Sequence, residues 1–469
     1  MKMNSRTFVI VFWLLFSCFG YSQNKQLLYG FAEMPNTLLS NPGAETNFKF
    51  HAGIPGLSGL SFNIGSSEAT IADLFLNDKI DFTTKFKNLL GKLTERDFVD
   101  FNTKIEILNG GFRLNKKMYI SFGLYQEIDF IGYFPDDIVN SLYYGNGNNV
   151  YKTIHFSEIK YKGDALGVLH AGISYKVNKK LNIGGRFKLY SGSLHLSSNN
   201  NSGTITTVNG DTNIYKHYLS NLNLNFYSSG LLDENNNLNI DATETIGNFF
   251  LSKNIGVGID VGFTYHYTPQ IEFTGSVLDI GFVSYTKNIN NTSIIGSHQF
   301  DGVEVLFDET NTDYWSPINK DYLEELYNEA KANVPSETNT NSFVSWRPIK
   351  FNGAVKYSYG RARSSKECYD ETYKEYYSNS VGVKLYAITR PLSTQVAATL
   401  FFEKSISEKF HAKLTYTAND YSMSNIGVGV STQVGIFHMY GLVDNIFNMT
   451  NLAKAKSASV QFGFNLIFD

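Results

Sequence analysis

Along much of this chain apolar and polar residues alternate with a period of two. In the last ten residues Val460, Phe462, Phe464, Leu466 and Phe468 share one face, opposite Gln461, Gly463, Asn465 and Asp469. Leu169, Ala171, Ile173, Tyr175 and Val177 oppose His170, Gly172, Ser174 and Lys176. Ile183, Gly185, Phe187 and Leu189 oppose Gly184, Arg186, Lys188 and Tyr190. Val257, Ile259, Val261, Phe263, Tyr265 and Tyr267 oppose Gly258, Asp260, Gly262, Thr264 and His266. Side chains along a strand point to alternate faces, so each run predicts a strand with one apolar and one polar side. Shorter runs of the same kind cover 120–124, 355–359, 381–387, 412–416 and 426–430.

The connections are uneven. Leu114 to Met118, Val177 to Leu181, Tyr267 to Ile271 and Ile406 to Phe410 each read apolar, three polar, apolar, which predicts tight hairpin turns. The opposite ends are joined by longer Asn-rich stretches, among them 145–150, 197–203, 233–243 and 288–297. Helical spacing interrupts the pattern at 71–76, 82–93, 136–144 and 319–332; in the last, Tyr322, Leu323, Leu326, Tyr327 and Ala330 form one stripe behind an Asn319 cap. Short turns at one end and long loops at the other predict an all-β, antiparallel transmembrane β-barrel with a few helical insertions. A soluble secreted β-sandwich also accounts for strands with one polar face.

The polar face of the strands carries charge. Arg186, Lys188, Asp260, His266, Lys384 and Lys413 are the candidate lumen-facing polar residues, and Lys356 and His411 fall on the same side of their strands. A wet lumen satisfies such groups; a lipid-facing wall does not.

Composition supports the barrel: 15% of residues are aromatic and only 18% charged, with 39 glycines, against a usual charged share of about 25%. Residues 1–22 carry Lys2 and Arg6, an apolar run from Phe8 to Phe19, and Gly20, Tyr21 and Ser22 before Gln23, which predicts a secretory signal peptide. Cys18 admits a lipobox reading that the bulky Phe16 disfavours. Removal of Cys18 leaves Cys368 alone, which excludes a disulfide-stapled fold. No apolar run of about 18 residues follows the signal. A net charge of -3 gives no basic footprint for nucleic acid.

Chemical motifs are sparse. Residues 233–244 place oxygen side chains at the first, third, fifth, ninth and twelfth positions of a calcium loop, but Leu238 occupies the turn position that requires glycine. The acidic stretch Asp301, Glu304, Asp308, Glu309 and Asp313 reads as a solvated loop face. No paired-histidine metal motif, G-x-S-x-G elbow, P-loop or C-x-x-C occurs, so no enzyme, cofactor or metal is expected; catalytic residues spread over distant strands would escape such a search.

Leu27 to Phe31, Leu38 to Ala44, Ile107 to Arg113 and Ser276 to Phe282 resemble segments of an uncharacterised, domain-of-unknown-function family of Gram-negative outer-membrane barrels, over nearly the whole mature chain. That family is similar in layout to the long-chain fatty-acid transporter superfamily, which includes the shuttle barrel of type IX secretion. Gly43, between Pro42 and Ala44, departs from the superfamily's Asn-Pro-Ala-like signature. The resemblance implies about fourteen strands, within a range of about twelve to eighteen, and an N-terminal segment tucked into or beneath the lumen. The expected layout is a signal peptide at 1–22, an N-terminal segment and lumen plug at 23–46, and one barrel domain at 47–469 in the outer membrane. The expected role is to bind or pass a small, hydrophobic ligand. The alternatives are a plugged component of an envelope or secretion complex and a soluble secreted sandwich. Outer-membrane lipid is the expected partner, with an envelope protein as a second.

Overall fold

A computed structural model describes residues 25–31, 34–144, 150–210, 215–231, 252–300, 336–361, 377–420, 425–446 and 453–468. The signal segment, the 233–244 loop, the 301–313 acidic stretch and the 319–332 helical stripe lie outside them.

Among the described residues, fourteen antiparallel strands form a closed ring. They are β1 (Phe50–Gly53 and Gly59–Ser66), β2 (Phe98–Asn115), β3 (Met118–Tyr133), β4 (Tyr161–Lys176), β5 (Leu181–Ser198), β6 (Ile255–His266) and β7 (Ile271–Tyr285). The ring continues through β8 (Phe343–Trp346 and Lys350–Arg361), β9 (Tyr377–Ile388), β10 (Gln395–Ser407), β11 (Phe410–Asn419), β12 (Asn425–Val434), β13 (Phe437–Asp444) and β14 (Ser457–Phe468). Closure comes from β14 on β1, with Phe468 opposite Phe50 and Phe462 opposite Leu60. A two-sheet sandwich is thereby excluded: every ring strand has a partner on both sides, which leaves no open edge in the ring.

The burial pattern is that of a membrane barrel. On β6, Val257, Ile259, Val261 and Phe263 are exposed while Asp260, Thr264 and His266 are buried. On β5, Phe187 and Leu189 are exposed while Arg186 and Lys188 are buried. Charges inside and aliphatics outside cost free energy in water and gain it in lipid. Phe50, Phe112, Tyr175, Tyr265, Tyr357 and Phe468, all outward near the turn end, supply one aromatic girdle. Ile259→Arg, in the middle of the lipid face, is expected to cost about 2–4 kcal/mol in vesicle-folding equilibria. A loss below about 0.5 kcal/mol, as at a water-facing site, would remove Ile259 from lipid.

The four tight turns that join β2 to β3, β4 to β5, β6 to β7 and β10 to β11 fall where the sequence places them. Two departures follow from pairing. The stretch 288–297, read as loop, supplies the strand Asn291–Phe300, because its residues pair with Tyr215–Ser229 in a small five-stranded sheet above the loop-end rim. That sheet also holds Thr153–His155, Ser202–Asn209 and Ser336–Asn339. The β8–β9 connection, 362–376, leaves from the turn end and is not short. Among the described residues, three helices stand in the loop-end connections: α1 (Ile71–Phe75), α2 (Phe82–Leu90) and α3 (Asp136–Tyr144). Thr70 and Asp73 form a capping box on α1, and Asp81 caps α2.

Candidate functional site

The lumen is occupied at two levels. At the turn end lies the segment 25–48, which touches inward faces all round the ring. Its main-chain carbonyls are taken by strand side chains: Asn182 Nδ2 donates to Gly43 O at 3.0 Å, Ser174 Oγ to Ala44 O at 3.0 Å, and Ser276 Oγ to Ser40 O at 2.7 Å. Lys413 Nζ donates to Tyr29 O at 2.8 Å, and Arg186 donates to Leu38 O and Leu39 O. Asn36 donates to Glu106 and to Ser58 O, and accepts from Asn465 at 2.9 Å. These bonds satisfy irregular backbone that burial would otherwise leave unpaired.

The segment lies so close to β5 and β6 because small residues meet there. A Cβ on Gly184 would sit 2.0 Å from Pro42 O, and one on Gly262 would sit 2.1 Å from Asn41 Oδ1. Gly43 in turn rests on the Gly262 carbonyl, where a Cβ would come within 2.4 Å. The residue that departs from the Asn-Pro-Ala-like pattern is thus one that the close approach requires. Asn41 Oδ1 accepts from Gly43 N at 2.9 Å, closing the bend at Pro42.

Leu27, Leu28, Phe31 and Met34 pack on Tyr440 and Leu442 of β13, and Leu38 and Phe48 pack with Tyr119 and Ile467. Two apolar clusters inside the lumen are therefore each built on the segment.

Nearer the loop end, buried ions form a chain across the lumen. Arg186 and Lys188 reach Asp260 at 3.0 and 2.9 Å, and Lys188 also bonds Asp279. Lys350 joins Asp279 at 2.6 Å to Glu127 at 3.2 Å, and Arg347 joins Glu127 at 3.0 Å to Asp164 at 3.2 Å. Because Glu127 is on β3 and its cations belong to β8, the contacts cross the ring rather than follow its wall. Four cations meet four carboxylates, which leaves the chain neutral. Farther toward the rim Arg390 holds Asp129 at 2.6 Å.

Local backbone breaks aim these side chains. Arg347 and Lys350 are an odd number of residues apart and would face opposite ways on a regular strand. Pro348, which lacks an N–H, ends the first piece of β8 between them, and both point inward. Asp279 sits in a bulge of β7 with φ of 60°, a conformation Asp tolerates better than most residues. Its N–H donates to Asp260 Oδ1 at 2.7 Å, so one carboxylate of the ion chain holds the bulge that presents the other.

All six sequence candidates lie on the inner face, in separate groups. Arg186, Lys188 and Asp260 meet in the ion chain. His266 faces Glu45 at 3.1 Å and Glu272 at 3.7 Å. Lys384 lies 4.5 Å from the Tyr29 ring centroid, and Lys413 lies 5.6 Å from that of Phe31. Asp279, Lys350, Arg347, Glu127 and Asp164 complete the chain and were not candidates. Among the described residues no cluster of three or more His, Cys, Asp or Glu side chains suits a metal.

A closed ring with lipid-facing aliphatics and a filled, charged lumen defines a β-barrel of the outer-membrane class. The chain belongs to the family of unknown function DUF5723, whose model matches residues 42–444. No curated protein matches it. Among solved structures it is similar to the toluene transporter TodX of Pseudomonas putida, at 9% identity and a TM-score of 0.36, covering 94% of this chain and 93% of that one. It is also similar to a FadL homologue of Pseudomonas aeruginosa, at 7% identity and a TM-score of 0.41, covering 96% and 99%.

Proposed function

We propose that this protein is a gated outer-membrane barrel that binds and passes a small hydrophobic ligand when the segment 25–48 leaves the lumen. The observation that carries the reading is the pair of apolar clusters under that segment. Departure of Leu27, Phe31, Met34 and Leu38 uncovers Tyr440, Leu442, Tyr119 and Ile467, an apolar surface of the kind small-molecule sites present. The segment is held by hydrogen bonds of about 0.5–1.5 kcal/mol each and by these buried apolar side chains, so a ligand that displaces it must cover the same apolar surface.

A chain lacking 25–41 is expected to give steady conductance in planar bilayers where the full-length barrel is closed. Purified full-length barrel in liposomes is expected to take up a small hydrophobic dye, and the deletion to take it up faster. Silence of the truncated but folded barrel would defeat the gating reading. It would favour the second one, a plugged scaffold in an envelope complex, which the cross-lumen ion chain supports.

A further inference from the structure

The geometry points to a second activity at the loop end of the lumen, hydrolysis of a carboxylic ester by Ser197 and His195, a site separate from the segment 25–48. Ser197 Oγ lies 2.9 Å from His195 Nε2, and His195 Nδ1 lies 2.7 Å from Asp164 Oδ1. Nucleophile, base and orienting carboxylate thus stand in the order and at the separations that activate a serine. With Nδ1 protonated toward Asp164, Nε2 keeps its lone pair for the serine proton. Asp164 is a positioning residue: Tyr285 Oη donates to it at 2.9 Å and Arg347 Nη1 at 3.2 Å, which fixes both oxygens. His195 is fully buried, and its ring lies tilted against those of Tyr285 and Phe343, with centroids at 4.6 and 5.2 Å.

Ser197 is one residue from the end of β5, at the mouth. Phe343 and Tyr227 are half-buried there, with ring centroids 5.2 Å apart, and offer an apolar wall to the acyl group. Lys162 lies opposite Ser197 in the β4–β5 register, and its ammonium donates to Trp346 O.

In the first step Ser197 Oγ bonds to the ester carbon while its proton passes to His195 Nε2. The bond to the alcohol oxygen then breaks, and that oxygen takes the proton from His195. Water next attacks the acyl-serine and gives a proton to His195; the acyl–Oγ bond breaks, Oγ recovers the proton, and the carboxylic acid leaves.

The test is covalent labelling of the full chain, folded in detergent, with a fluorophosphonate, together with hydrolysis of p-nitrophenyl butyrate. Modification should map to Ser197, vanish in Ser197→Ala and slow about 100-fold or more in His195→Ala, with ester hydrolysis falling in parallel. Asp164→Asn should slow labelling and move the pH at which its rate rises, which a purely structural carboxylate would not do. Heat-modifiable migration checks the fold of each variant, and the mapping on unaltered protein depends on none of them. An unlabelled wild-type barrel that shows heat-modifiable migration overturns the proposal. So does label that persists in Ser197→Ala.

Discussion

Arg347→Leu is expected to destabilise the folded barrel by about 3–5 kcal/mol, the usual cost of removing one partner from a buried ion pair. Arg347 is 1% exposed in its side chain and serves two carboxylates, Glu127 and Asp164, that are themselves almost fully buried. A leucine leaves both without their guanidinium partner in a site that water reaches poorly. Glu127 retains Lys350 and Asp164 retains His195, so loss rather than abolition of folding is the outcome. The remedy follows from the same physics: the double variant Arg347→Leu, Glu127→Gln removes one charge of each sign, leaves three cations with three carboxylates, and should recover more than half of the loss. Urea titration of vesicle-folded protein measures both. A single variant within about 1 kcal/mol of wild type would mean that water already solvates the chain of ions.

Gly184→Val is expected to expel the segment 25–48 from its seat while the ring remains closed. Only glycine permits Pro42 O to lie where a Cβ would be 2.0 Å away, and backbone cannot yield as a flexible side chain does. Overpacking of this kind costs about 1–3 kcal/mol, and relief comes from lifting the segment, which breaks the Asn182 and Ser174 bonds to Gly43 O and Ala44 O. Protease added to detergent-folded protein should then cut within 25–48, and bilayer conductance should rise toward that of the truncated chain. Gly185→Ala is the matched control, since the atom nearest its Cβ is Asp260 O at 3.9 Å. Equal protease resistance in the valine variant and wild type would show that the segment is not seated against β5.

The strands were legible because lipid on one side and a wet lumen on the other impose a strict period of two. The runs at 183–190 and 460–468 fall inside β5 and β14, and those at 169–177 and 257–267 end one residue past β4 and β6, all with the expected faces outward. Arg186, Lys188 and Asp260 were visible as candidates for the same reason: each stands in phase on a regular strand. Arg347, Lys350 and Asp279 were hidden because Pro348 and the β7 bulge shift the phase, so parity counted along the sequence assigns some of them to the wrong face. Ser197 and His195 lie two residues apart, on one face of β5, yet nothing in that spacing names Asp164, 31 residues earlier, as their neighbour. Only the antiparallel register of β4 on β5, with Asp164 opposite His195, does so.

What the sequence determined by itself was local: which residues lie in strands, which side of each faces lipid, and where the tight turns fall. Those follow from alternation and turn chemistry over a few residues. Ring closure at fourteen, the passage of 25–48 through the lumen and the pairing of β3 acids with β8 cations were decided by the tertiary structure. Each joins groups tens to hundreds of residues apart, and the energy of a buried charge depends on a partner that no local pattern specifies.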